Sequence, residues 1–112
     1  MPPRDWRARF EDILEAVHRI QRYTNGVTSE QFAANELLID AVVRNLTVIG
    51  EAARGVPADV EARHPELPWF EMRGLRNLVV HEYFGVDVAI LWQTVHDDLP
   101  GLVPLLERAL GE

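Results

Sequence analysis

The chain contains no cysteine. That excludes disulfides, thiolate metal sites and a cysteine nucleophile, and it fits a reducing compartment. Lysine is missing too: all 11 basic residues are arginine, set against 18 aspartates and glutamates for a net charge of −7. A protein that coats nucleic acid carries a broad basic footprint, so this balance argues against that class. A small site with a local positive field remains open, because field depends on arrangement rather than on the total. The same acidity suits a basic protein partner. No apolar run approaches the roughly 18 to 20 residues that span a bilayer. The stretch Met1-Pro2-Pro3-Arg4-Asp5-Trp6-Arg7 lacks the apolar core of a secretory signal. The expectation is a cytoplasmic protein with no membrane contact. Strand-like alternation, internal repeats and low-complexity linkers are also absent.

What is present is helical periodicity in a globular composition. With 112 residues, 47% hydrophobic and 26% charged, the chain reads as one domain over residues 1–112, long enough to own a core. Phe10, Ile13, Leu14, Val17 and Ile20 form one apolar stripe at three- and four-residue steps, predicting a helix from about Asp5 to about Tyr23. Thr24-Asn25-Gly26 reads as a turn, and Thr28 with Gln31 matches a capping box. A second helix is expected from there to about Arg54, carrying Phe32, Leu38, Ala41, Val42, Ile49 and Ala52. Gly55 and Pro57 separate it from a short third helix ending near His64. Trp69 opens the next helix, Gly85 ends that region, and Asp87 caps a last helix that Pro100 and Pro104 interrupt near Leu99 to Gly101. The fold class is all-α: an antiparallel bundle of four to five helices with short connections.

The chemistry concentrates in Arg76-Asn77-Leu78-Val79-Val80-His81-Glu82-Tyr83. Arginine binds phosphate oxygens through a fixed, permanently charged fork. Histidine trades protons near neutral pH. At about 100° per residue, however, His81 lies about 140° around a helix from Arg76, whereas Tyr83 nearly shares the face of Arg76. The pair meets on one phosphate in two ways. Either the helix ends near Val79 or Val80 and His81 swings back, or two copies of the chain contribute to one site across a two-fold axis.

The pattern R-x4-H-x-Y, with its flanks Met72-Arg73-Gly74-Leu75 and Phe84-Gly85-Val86-Asp87, resembles the signature of HepT-type toxins in the HEPN ribonuclease superfamily. The resemblance implies a homodimer whose composite site cleaves RNA without a metal or other cofactor. It assigns Arg76 and His81 as the catalytic pair. His81 would take the proton of a ribose 2′-hydroxyl or protonate the departing 5′-oxygen. Arg76 would hold the phosphate and stabilise its growing charge, leaving a 2′,3′-cyclic phosphate. Asn77 would support the pair by orienting the phosphate or His81. The resemblance makes Tyr83 the acceptor of adenylyl groups from a partner nucleotidyltransferase antitoxin of the MntA type. AMP there would repel and block RNA. The chain has no nucleotidyltransferase signature of its own. The rival reading is a non-catalytic helical module that dimerises and docks onto such a partner.

Other constellations carry less. Glu15-x-x-His18 and Glu61-x-x-His64, with Glu36 and Glu51 as further donors, share the spacing of di-iron bundles. Pro65 stops the second of these, and His18 lies on a polar flank beside Arg19. His96-Asp97-Asp98 reads as a solvated helix face. Trp6, Trp69 and Trp92 read as core or interface anchors. Glu51 lies in Ile49-Gly50-Glu51-Ala52-Ala53, where small residues admit a close neighbour helix and a carboxylate can orient an arginine.

Overall fold

Asp5 starts the first helix, α1 (Trp6–Thr24), by accepting a hydrogen bond from the Arg7 backbone amide at 3.2 Å. A computed structural model describes residues 5–81 and 87–111, with residues 77–81 described by their backbone. Thr28 and Gln31 form the expected capping box, each side chain accepting from the other's amide at 3.1 and 2.9 Å. The helix they open is short, however. The long second helix of the sequence reading is in fact two, α2 (Ser29–Ala33) and α3 (Glu36–Arg54). Asn35 causes the division. Its side chain caps α3 by accepting from the Leu38 amide at 3.0 Å, and its own backbone is extended. There follow α4 (Ala58–Arg63), α5 (Trp69–His81), α6 (Val88–Gln93) and α7 (Leu102–Leu110).

The stripe on α1 does what its spacing predicts. Phe10, Ile13, Val17 and Ile20 are fully buried, against Val42, Leu46 and Ile49 of α3 and Leu106 of α7. Removing any one of these large side chains costs about 2–5 kcal/mol. The first and last helices run antiparallel: Arg7, at the start of α1, donates to the Leu110 carbonyl at the end of α7 at 3.0 Å. Asp12 and Arg19 of α1 line one groove with Arg44 and Val48 of α3. An aromatic cluster of Trp6, Phe10, His64 and Trp69 closes one end of the core. The indole of Trp69 donates to the His64 carbonyl at 2.9 Å.

The proline-rich C-terminal region is broken, as its sequence predicts, and in a particular form. Residues Thr94–Asp98 make a π-helical turn closed by the Leu99 amide on the Thr94 carbonyl at 3.1 Å. Asp87 caps α6 through the amides of Ala89 and Ile90. Every regular element among the described residues is helical, and none of those helices is long and apolar enough to cross a membrane.

Candidate functional site

Helices α3 and α5 touch where one of them has no side chain. A Cβ on Gly50 would lie 2.7 Å from the Arg76 backbone nitrogen and 2.8 Å from its Cβ, closer than real Cβ atoms approach. Glycine therefore sets the distance between the two helices at this crossing. The next residue uses that proximity: the Glu51 carboxylate pairs with Nε of Arg76. Both side chains are about half-exposed, at 51% and 41%. An ion pair this wet contributes little to stability, about 0–1 kcal/mol. What it supplies is direction, because one edge of the guanidinium is engaged while the group stays at the surface. The carboxylate that the sequence offered as an arginine-orienting group is thus in that position.

One turn before Arg76, Arg73 pairs with Glu61 of α4 at 2.8 Å. Arg54, Phe70, Arg73 and Gly74 line a surface groove of about 300 Å³ between the end of α3 and the start of α5. Phe70 is 80% exposed. Phe70 went unremarked in the sequence reading, and Arg73 and Gly74 figured there only as flanks of the signature. A signal was available, since Phe70 falls off the stripe formed by Trp69, Met72 and Leu75, where an apolar residue has no core to enter.

The backbone is helical through His81, so the helix does not end at Val79 or Val80. Of the two ways for Arg76 and His81 to meet, the local swing is overturned. Position 81 lies nine steps beyond the buried Met72, which is about 180° around the helix. It therefore occupies the face of α5 opposite the one that enters the core. The structure gives Asn77 a place on α5 through its backbone alone, and Tyr83 lies outside the described residues.

The di-metal alternative finds no support in the geometry. His18 is exposed, and His64 is buried among aromatic rings with its Nδ1 3.4 Å from Glu66. Among the described residues, no three of the histidines, aspartates and glutamates gather as a metal site would require. His96 stacks on Trp92 at 3.9 Å with Asp97 and Asp98 exposed beside it, a solvated face as expected.

Residues 13–109 match the family model described as Ribonuclease HepT-like. The chain belongs to the HepT-like ribonuclease family. A protein of Thermococcus cleftensis named "Probable ribonuclease HepT" is 42% identical over 99 residues, covering 88% of this chain and 90% of its own. A candidate RNase of Methanocaldococcus jannaschii is 40% identical, with 89% and 92% covered. Another from Caldanaerobacter subterraneus is 35% identical, with 93% of each chain covered. No solved structure matches the chain. Membership gives the resemblance of the R-x4-H-x-Y signature a basis across nearly the whole bundle.

Proposed function

We propose that this chain is a metal-independent endoribonuclease, the toxin of a two-component system, working as a homodimer with a composite site. The observation that carries the proposal is the Glu51–Arg76 pair at the α3–α5 crossing, on the same helix that places position 81 on its outer face. Glu51 engages Nε, so phosphate recognition falls to the two terminal nitrogens of Arg76. Within one bundle, position 81 lies about 140° around α5 from Arg76, so the two share no face. Two bundles related by a two-fold axis near position 81 supply each histidine with an arginine from the other copy.

Chemically, the ribose 2′-oxygen attacks the adjacent phosphorus as His81 removes its proton. The bond from phosphorus to the 5′-oxygen breaks, and that oxygen leaves with a proton. The products are a 2′,3′-cyclic phosphate and a 5′-hydroxyl. Arg76 neutralises the extra charge on the phosphate oxygens in the transition state. Asn77 supports the pair. Adenylylation of Tyr83 by an MntA-type nucleotidyltransferase is the proposed off-switch, adding bulk and negative charge beside Arg76.

The test is RNA cleavage by the purified chain in chelator, compared with Arg76→Ala and His81→Ala. Loss of cleavage in both variants supports the mechanism, and equal cleavage by all three removes it. Mass spectrometry of the chain co-expressed with its nucleotidyltransferase reads the Tyr83 proposal directly. An unmodified Tyr83 in a silenced complex would refute it, and a chain that cleaves no RNA even without its partner would favour the alternative of a docking module.

A further inference from the structure

The groove at the start of α5 sets one exposed ring beside two cations. Its lining is one exposed aromatic ring, Phe70, two arginines, Arg54 and Arg73, and Gly74, with no aliphatic side chain. Within the groove, a second copy or a partner helix would have a single ring as apolar area to bury. Gly74, four residues after Phe70 and therefore on the same helix face, leaves open space: a Cβ built there meets nothing within 4 Å. The aromatic is thus presented beside a gap and not packed into one. Arg73 is held at the groove wall by Glu61.

The placement relative to the proposed reaction matters. Positions 70, 74 and 81 follow one another on one face of α5, since eleven steps from Phe70 to His81 bring the helix back to within about 20°. The axial separation is about 16 Å. A short oligonucleotide whose cleaved phosphate lies at position 81 can reach Phe70 along that face. Flat aromatic rings flanked by cations are how proteins hold single-stranded nucleic acid, by stacking an unpaired base and tracking its phosphates.

We propose that Phe70, with Arg54 and Arg73, forms a stacking subsite for an unpaired base of single-stranded RNA, a few nucleotides from the bond that is cut. This rests on the ribonuclease reading above. The substrate it selects is unpaired RNA, because a base inside a duplex offers no free face to the ring.

The probe is a single-stranded 2′-O-methyl oligoribonucleotide carrying 2-aminopurine, which binds but lacks the hydroxyl needed for cleavage. It is titrated into the full-length chain and into Phe70→Ala, Phe70→Leu and Phe70→Trp. The expected result is about five- to hundredfold weaker binding for the alanine and leucine variants, with tryptophan near wild type. A duplex of the same sequence should bind independently of residue 70. In cleavage of ordinary RNA, Phe70→Ala should raise KM and leave kcat unchanged. The proposal is overturned if Phe70→Leu binds as the wild type does, if duplex binding depends equally on Phe70, or if Phe70→Ala converts a dimer to monomer on sizing. Phe70-dependent binding by a chain that cuts no RNA would uphold the subsite and refute the catalytic reading. Cleavage with no dependence on Phe70 would do the reverse.

Discussion

Gly50 and Arg76 are in backbone contact: the absent side chain of one is what lets the other's helix lie where it does. A Cβ at residue 50 would enter the space of the Arg76 amide nitrogen and Cβ, at 2.7 and 2.8 Å. Both atoms belong to the helix itself and not to the flexible end of a side chain, so α3 and α5 must separate to admit it.

Gly50→Ala should therefore destabilise the bundle, even though alanine is the better helix former. Overpacking of this kind costs about 1–3 kcal/mol. Urea unfolding should show a lower midpoint with an unchanged slope, and a midpoint at or above that of the wild type would show that the crossing yields cheaply.

Glu51 should separate function from stability. An exposed pair with Arg76 contributes less than about 1 kcal/mol to folding. Misdirecting a phosphate-binding group, in contrast, can cost up to about a hundredfold in rate. Glu51→Gln and Glu51→Ala should melt close to the wild type and cleave RNA more slowly at saturating substrate. If rate and stability fall together, Glu51 is a structural residue instead.

Trp69→Phe should do the opposite. The indole donates to the buried His64 carbonyl, which also accepts from the Leu67 amide at 3.2 Å, so losing the indole donor removes one of two hydrogen bonds at a cost of about 0.5–1.5 kcal/mol. Below its melting temperature the variant should cleave RNA at the wild-type rate. A selective loss of cleavage would tie the aromatic cluster to the site.

Cleavage should survive exhaustive chelation, and the product should end in a 2′,3′-cyclic phosphate that acid opens. Restoration of a lost activity by added Mg²⁺, Mn²⁺ or Zn²⁺ would contradict the assignment of the chemistry to Arg76 and His81.

Much of this architecture was legible from the chain alone. The α1 stripe, the Thr28–Gln31 box and the Asp87 cap are local signals, and each appears where its residues predict. The division at Asn35 was missed because the Thr28–Gln31 box already marks a helix start and the second cap, Asn35, follows only seven residues later. Pro100 announces a break, since it has no amide to donate, but not that the turn before it widens to a π form. At the site, Glu51 and Gly50 were visible as a carboxylate beside a small-residue contact. That they meet Arg76 depends on tertiary packing of α3 on α5. The groove around Phe70 was invisible for the same reason, as Arg54 comes from a different helix.

The central claim is that Arg76 of one copy works with His81 of the other. Co-expressing Arg76→Ala and His81→Ala chains with different affinity tags, and purifying the mixed dimer, tests it most directly. Each mixed dimer then holds one site with both groups intact if they act across the axis, and none if they act within one chain. The account predicts that the mixed dimer cleaves RNA at about half the wild-type rate, while both parent variants stay inactive. A mixed dimer as inactive as its parents would contradict it.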